Sequence, residues 1–159
     1  DIAALIASIG RIESDCHISL ERIYQVPTMV RRMQPLFCST GSAHASALVQ
    51  PDGHIACVRE DVGRHNAMDK LIGHALLHRL SLDGATVFLS GRTSIEMVIK
   101  AGRARIPILL AVGAPTDDAV EAADRLGITL CGFLRGEEFN VYAHARRIAG
   151  AEAAEGSRG

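Results

Sequence analysis

The chain has 159 residues, 48% hydrophobic and 22% charged, with a net charge of -1. That length buries a full core without a metal or disulfide staple. The near-zero charge excludes a global field that would draw the protein to nucleic acid or a membrane surface. The four cysteines, Cys16, Cys38, Cys57 and Cys131, show no Cys-x-x-Cys spacing and no disulfide framework. No stretch reads as a signal peptide or a membrane span, so the expectation is a cytoplasmic protein with reduced thiols. Of the 17 basic residues only Lys70 and Lys100 are lysines, and arginine suits bidentate recognition of phosphate or carboxylate.

Residues 1–35 read as a helical and loop segment: an apolar helix over Ala3–Ile9 ended by Gly10, a polar stretch Arg11–His17 containing Cys16, and a helical period over Leu20–Met33 interrupted by Pro27. Residues 36–150 read as an α/β domain. His44–Val49 and His54–Arg59 are β-prone runs joined by Gln50-Pro51-Asp52-Gly53, which predicts a hairpin. A helix follows over Asn66–Leu80, with Met68, Leu71, Ile72, Ala75 and Leu76 on one face. Ala85–Leu89 and Ile108–Val112 are continuous apolar runs, as buried central strands are. Between them Thr93 and Glu96 form a capping-box pattern opening a helix through Ala101. Thr116 and two following acids open a helix that stops at Gly127; a strand over Ile128–Leu134 and an extended segment at Phe139–Tyr142 complete the series. Such alternation predicts a mostly parallel sheet flanked by helices, with a leading antiparallel hairpin. The small, polar residues 151–159 read as a disordered tail.

In sheets of this kind, sites gather where strands end and helices begin. Four polar, glycine-containing segments fall there: Ser39–His44, Arg59–Asn66, Ser90–Ser94 and Phe133–Asn140. Each alone reads as a turn. Converging on one edge, they offer arginines, hydroxyls and backbone amides to a phosphorylated anion. His74 and His78 stand four apart on a helix, which is ligand-like, but they lack an acidic partner and read as an exposed face. Cys16 lies in a polar segment, as a reactive thiol does. Cys57 and Cys131 lie in apolar strands and read as inert core residues, and Cys38 borders a strand and the first polar segment.

The same segments carry a resemblance. Phe37-Cys38-Ser39-Thr40-Gly41-Ser42-Ala43-His44-Ala45, Arg59–Lys70, Ser90–Ser94 with Glu96-Met97, Ala114-Pro115-Thr116, and Gly132–Gly136 with Phe139–Tyr142 resemble, in order, the blocks of the FdhD family of formate dehydrogenase accessory sulfurtransferases. The resemblance implies a cytidine-deaminase-like, three-layer fold. Deaminases hold zinc through His-x-Glu and Pro-Cys-x-x-Cys at two helix starts. Here those starts read Gly63-Arg64-His65-Asn66 and Ser90-Gly91-Arg92-Thr93, so no zinc and no deamination are expected.

By the same resemblance, the chain accepts persulfide sulfur from a cysteine desulfurase. It passes that sulfur to the molybdenum bis(molybdopterin guanine dinucleotide) cofactor of a formate dehydrogenase apoenzyme. Cys16 is the implied persulfide carrier, although the family pattern has two cysteines in a Cys-Gly-x-Cys-Gly loop and this chain has one. The implied cofactor-binding stretch is Phe133, Leu134, Arg135, Gly136, Glu137 and Glu138. Thr40, Gly41, His44, Arg64, Ser90, Gly91 and Arg92 are expected at the phosphates, and His65 and Asn66 orient the ligand. A homodimer is expected from the two halves of the cofactor. The alternative is a non-catalytic chaperone that binds the cofactor or a guanine nucleotide.

Overall fold

The computed structural model describes residues 1–150; the tail expected at 151–159 lies outside the described residues. Helix α1 (Ile2–Ile9) starts at Asp1, whose carboxylate accepts the Ala4 N–H at 3.1 Å. It ends at Gly10 with φ 80°. After a loop containing Cys16 come a two-residue strand β1 (Ile18–Ser19) and helix α2 (Leu20–Arg31), capped by the Ser19 hydroxyl. Pro27 does not interrupt α2. Ile23, Val26 and Val30 are fully buried on one face, and that burial outweighs the hydrogen bond that proline cannot donate. A short helix α3 (Pro35–Thr40) leads into strand β2 (His44–Val49) and strand β3 (Ile55–Asp61), the expected hairpin.

Helix α4 (Arg64–Leu77), β4 (Thr86–Leu89), α5 (Ile95–Arg103), β5 (Ile108–Ala111), α6 (Asp117–Leu126) and β6 (Thr129–Arg135) follow in alternation. Strand β7 (Glu138–Ala143) turns back beside β6. A 3-10 turn at Ala145–Arg147 ends in β8 (Ile148–Ala149), which pairs with β1.

The main sheet has the order β3-β2-β4-β5-β6-β7. Its centre, β4-β5-β6, is parallel, β2 runs antiparallel to both β3 and β4, and β7 runs antiparallel to β6. Four of the six strands therefore run one way, and the leading hairpin is the expected one. Strand residues alternate between two apolar layers. Val87 and Leu89 face one core cluster with Met68, Leu71, Met97 and Leu126 of α4, α5 and α6, joined by Ile6 of α1. Phe88, Ile108 and Leu110 face the other with Ile23, Val26 and Val30 of α2.

Three local expectations are corrected. Leu76 is 70% exposed rather than buried, whereas its neighbour Ala75 in the last turn of α4 is fully buried. The N-cap of α5 is Ser94, not Thr93, and its hydroxyl makes no capping bond because it lies 2.8 Å from Nε2 of His65. Cys38 sits exposed on α3 rather than at a strand border.

Candidate functional site

Because β4, β5 and β6 are parallel, the segments that follow them emerge at one edge. The antiparallel β2 begins there and β3 ends there, with His44 opposite Asp61. Backbone hydrogen bonds join the start of β2 and the segments that follow β4, β5 and β6 across this edge. Ser90 N–H donates to Ala45 at 3.0 Å, Gly113 N–H donates to Gly91 at 3.0 Å, and Phe133 N–H donates to Gly113 at 3.2 Å. The loops after β4 and β5 stack so closely that a Cβ on Gly113 would lie 2.7 Å from the Arg92 nitrogen. Only glycine permits that approach.

The side chains at this edge divide into anchored and free groups. His44 Nδ1 lies 3.1 Å from the Ser90 hydroxyl, whose oxygen also accepts the Ala45 N–H at 2.8 Å. His65 ties the start of α4 to Ser94 at 2.8 Å. Asp61 binds Lys70 at 2.7 Å, the Gly63 N–H at 2.8 Å and the Asn66 side chain; Lys70 first, then these amides, hold its carboxyl down to about 2. The Thr40 hydroxyl donates to the Leu36 carbonyl, and Gly41 closes α3 in the left-handed region with φ 71°. His65, Asn66, Thr40 and Gly41 therefore already have structural roles here. By contrast, Arg64, Arg92 and Arg135 make no ion pair among the described residues. The buried Nε of Arg64 has no hydrogen-bond partner among the described residues. Unpaired guanidiniums beside glycine-lined backbone suit a phosphorylated anion.

The expected stretch Phe133–Glu138 forms the end of β6 and its turn into β7. Phe133 is half-exposed at φ 55°, a left-handed conformation that costs a non-glycine residue energy, and the ladder with β7 is irregular at that point. Leu134 is buried in the α2-side core, whereas Arg135, Glu137 and Glu138 are exposed. Gly136 and Glu137 also line a groove of about 470 Å³ against Tyr24, Thr28 and Arg32 of α2 and its end.

Cys16 is not brought to this edge. It is half-buried at the opposite end of the sheet, where a Cβ on Gly84 would lie 3.5 Å from Cys16 and 3.3 Å from Pro51 of the β2–β3 turn. The seven residue steps from Gly84 to Gly91 along β4 separate the two ends by roughly 20 Å. Next to Cys16 lies a group that sequence reading missed. Arg147 is 1% exposed and donates to the carbonyls of Ser14 at 2.9 Å, Pro107 at 3.1 Å and Ile12 at 3.2 Å, and also to Gly127. It clasps the Cys16 loop to the starts of β5 and β6. Burial lowers the pKa of its guanidinium, with Arg146 adding to that and Cys16 opposing it.

Cys57 and Cys131 are buried, and burial pushes the Cys131 thiol up to about 12. His74 and His78 stack at 4.1 Å, with Arg59 2.6 Å from His74; burial, then the neighbouring Arg59 and His78, keep His74 below the ordinary histidine value. Among the described residues no group of three or more His, Cys, Asp or Glu is placed to hold a metal ion. No helix among them is long and apolar enough to cross a membrane.

The α/β sheet thus presents an arginine-bearing, glycine-lined edge, with the Cys16 thiol at its far end. The chain belongs to the FdhD/NarQ family, whose profile matches residues 3–149. It is 43% identical over 147 residues to the sulfur carrier protein FdhD of Thermoplasma acidophilum, covering 92% of this chain and 52% of that protein. It is 48% identical over 133 residues to the sulfur carrier protein FdhD of Streptomyces coelicolor, covering 83% and 47%. The chain thus spans about half the length of these curated relatives. The fold superposes with a TM-score of 0.82 on the crystal structure of a putative formate dehydrogenase accessory protein from Desulfotalea psychrophila. The two are 31% identical, over 91% of this chain and 61% of that one.

Proposed function

We propose that the protein is a sulfur carrier in formate dehydrogenase maturation, working as a sulfurtransferase through a cysteine persulfide. The Cys16 thiolate attacks the terminal sulfur of a persulfide on a cysteine desulfurase. The sulfur–sulfur bond of the donor breaks, the desulfurase leaves as thiolate, and Cys16 holds the persulfide. The polar edge holds the receiving substrate, the molybdenum bis(molybdopterin guanine dinucleotide) cofactor, through Arg64, Arg92, Arg135 and the backbone of the Ser90–Gly91 and Phe133–Glu138 segments. The formate dehydrogenase apoenzyme then takes the sulfurated cofactor. The observation that carries this reading is the stitched edge with its three unpaired arginines, in a chain of this family.

The distance of Cys16 from that edge favours a homodimer, in which one protomer's Cys16 serves the other's edge. It also gives a second reading its force: a chaperone that binds the cofactor and does no sulfur chemistry. Intact-mass spectrometry after incubation with a cysteine desulfurase and cysteine separates the two. A reducible gain of one sulfur atom mapped to Cys16, abolished by Cys16→Ala while GDP binding persists, is the expected result. No gain on any thiol overturns the carrier reading and leaves the chaperone.

A further inference from the structure

Helix α4 begins at the polar edge with Arg64 and runs back over β2 and β3, so it finishes at the end of the sheet that holds Cys16. Four successive residues there, Leu76, Leu77, His78 and Arg79, are exposed, the two leucines by 70% and 84%. The helix closes with the Leu80 N–H donating to the Ala75 carbonyl at 2.9 Å, a turn that sets Arg79 in the left-handed region at φ 53°. Glycine adopts that conformation without cost, yet this chain carries an arginine there. The Arg59 guanidinium lies 2.6 Å from His74, whose ring stacks on that of His78, so a second fixed cation flanks the leucines. Neither Arg59 nor Arg79 makes an ion pair among the described residues. The loop that follows adds one exposed carboxylate, Asp83.

This patch is continuous with the surface around Cys16. The Ser81 carbonyl accepts the Gln50 side-chain N–H at 3.1 Å, and Pro51 and Cys16 both crowd Gly84. The chain from Leu77 to Gly84 cannot span more than roughly 25 Å. A standard interface covers about 800 Å² on each partner, a patch about 30 Å across. A protein that covers both Cys16 and the leucines therefore needs no more than a standard interface. Beside the half-buried thiol, His17, Arg22, Pro51 and Gly84 line a cleft of about 260 Å³, room for a partner's sulfur-bearing side chain. Adjacent exposed leucines bordered by charge match the apolar centre and polar rim of a protein interface. We propose that Leu76 and Leu77, flanked by Arg59 and Arg79, are the docking surface for the persulfide donor, a cysteine desulfurase presenting an apolar spot bordered by carboxylates. This surface rests on the reading above, that Cys16 receives its sulfur from such a donor.

The test follows persulfide loading of Cys16 by intact mass across a range of desulfurase concentrations. It compares the wild type with Leu76→Glu/Leu77→Glu and with Arg79→Gly, which keeps the turn and removes the cation. The concentration giving half-maximal loading rises about tenfold in the double variant and about threefold in Arg79→Gly, with the saturated rate unchanged. Loading by glutathione persulfide, which needs no docking surface, stays at the wild-type rate, as does GDP binding at the far edge. Variants that the desulfurase loads as readily as wild type overturn the surface and leave the carrier reading standing. A wild-type dimer that the double variant splits into monomers also overturns it, since a second copy then covers the leucines. A wild type that neither donor loads overturns both. If the double variant does not fold, Leu77→Ser gives the same readout.

Discussion

The two ends of the central sheet use the same side chain in opposite ways. At the Cys16 end, Arg147 is buried and its N–H groups are spent on carbonyls from three separate segments. At the polar edge, Arg64, Arg92 and Arg135 have no anionic partner among the described residues, and Arg64 buries a donor that none of those residues receives. A guanidinium saturated by backbone is a strut. One left unsaturated, beside glycine-lined loops, is free to receive an anion. Residue type does not distinguish the two; hydrogen-bond saturation does.

The largest expected effect tests the strut. Arg147→Met leaves several buried carbonyls without donors and is expected to cost about 3–5 kcal/mol in urea unfolding. A loss within the range of a surface substitution would show that the clasp is dispensable. Arg64→Ala is the matching change at the other end. It is expected to weaken GDP binding about tenfold, as loss of a charge-assisted hydrogen bond does, with stability unchanged or raised. Arg64→Ala behaving like Arg147→Met would erase the contrast.

The smallest effect concerns Asp61. Its carboxyl is lowered from 3.8 to about 2, so the stability it contributes is present above its unfolded value and is lost as pH falls through its folded value. Asp61→Asn is expected to flatten the acid limb of unfolding between those two values and to lower stability above them by a modest amount, since Lys70 in the pair is half-exposed to solvent. An acid limb identical in wild type and variant would show that the carboxylate is not held in this way.

Much of the fold was legible because its signals are local. Apolar runs such as Ile108–Val112, the Pro-Asp-Gly turn and the Thr116 cap each carry their own physics over a few residues. What was missed depends on residues far apart. Helix α3 is capped by the Glu60 carboxylate, which accepts the Leu36 and Phe37 N–H groups at 2.9 Å from more than twenty residues away. The β1–β8 pair joins the first loop to the end of the described chain. Pro27 was overruled by burial that no local rule weighs.

The polar edge was read correctly as a meeting place of four segments, since parallel strands must deliver their following loops to one side. Position in the chain could not say that Cys16 lies at the other side, nor that His65 and Asn66 are engaged within the protein.

The central claim is that sulfur and substrate occupy separate ends of one sheet. Cys16 can be given a bulky maleimide adduct in a Cys38→Ser background, where the two remaining cysteines are buried. GDP affinity of the labelled protein then tests the claim most directly. At concentrations where the protein is monomeric, so that no partner's Cys16 reaches the edge, the account predicts an affinity equal to that of the unlabelled protein. Loss of GDP binding on labelling would place Cys16 at the nucleotide and contradict it.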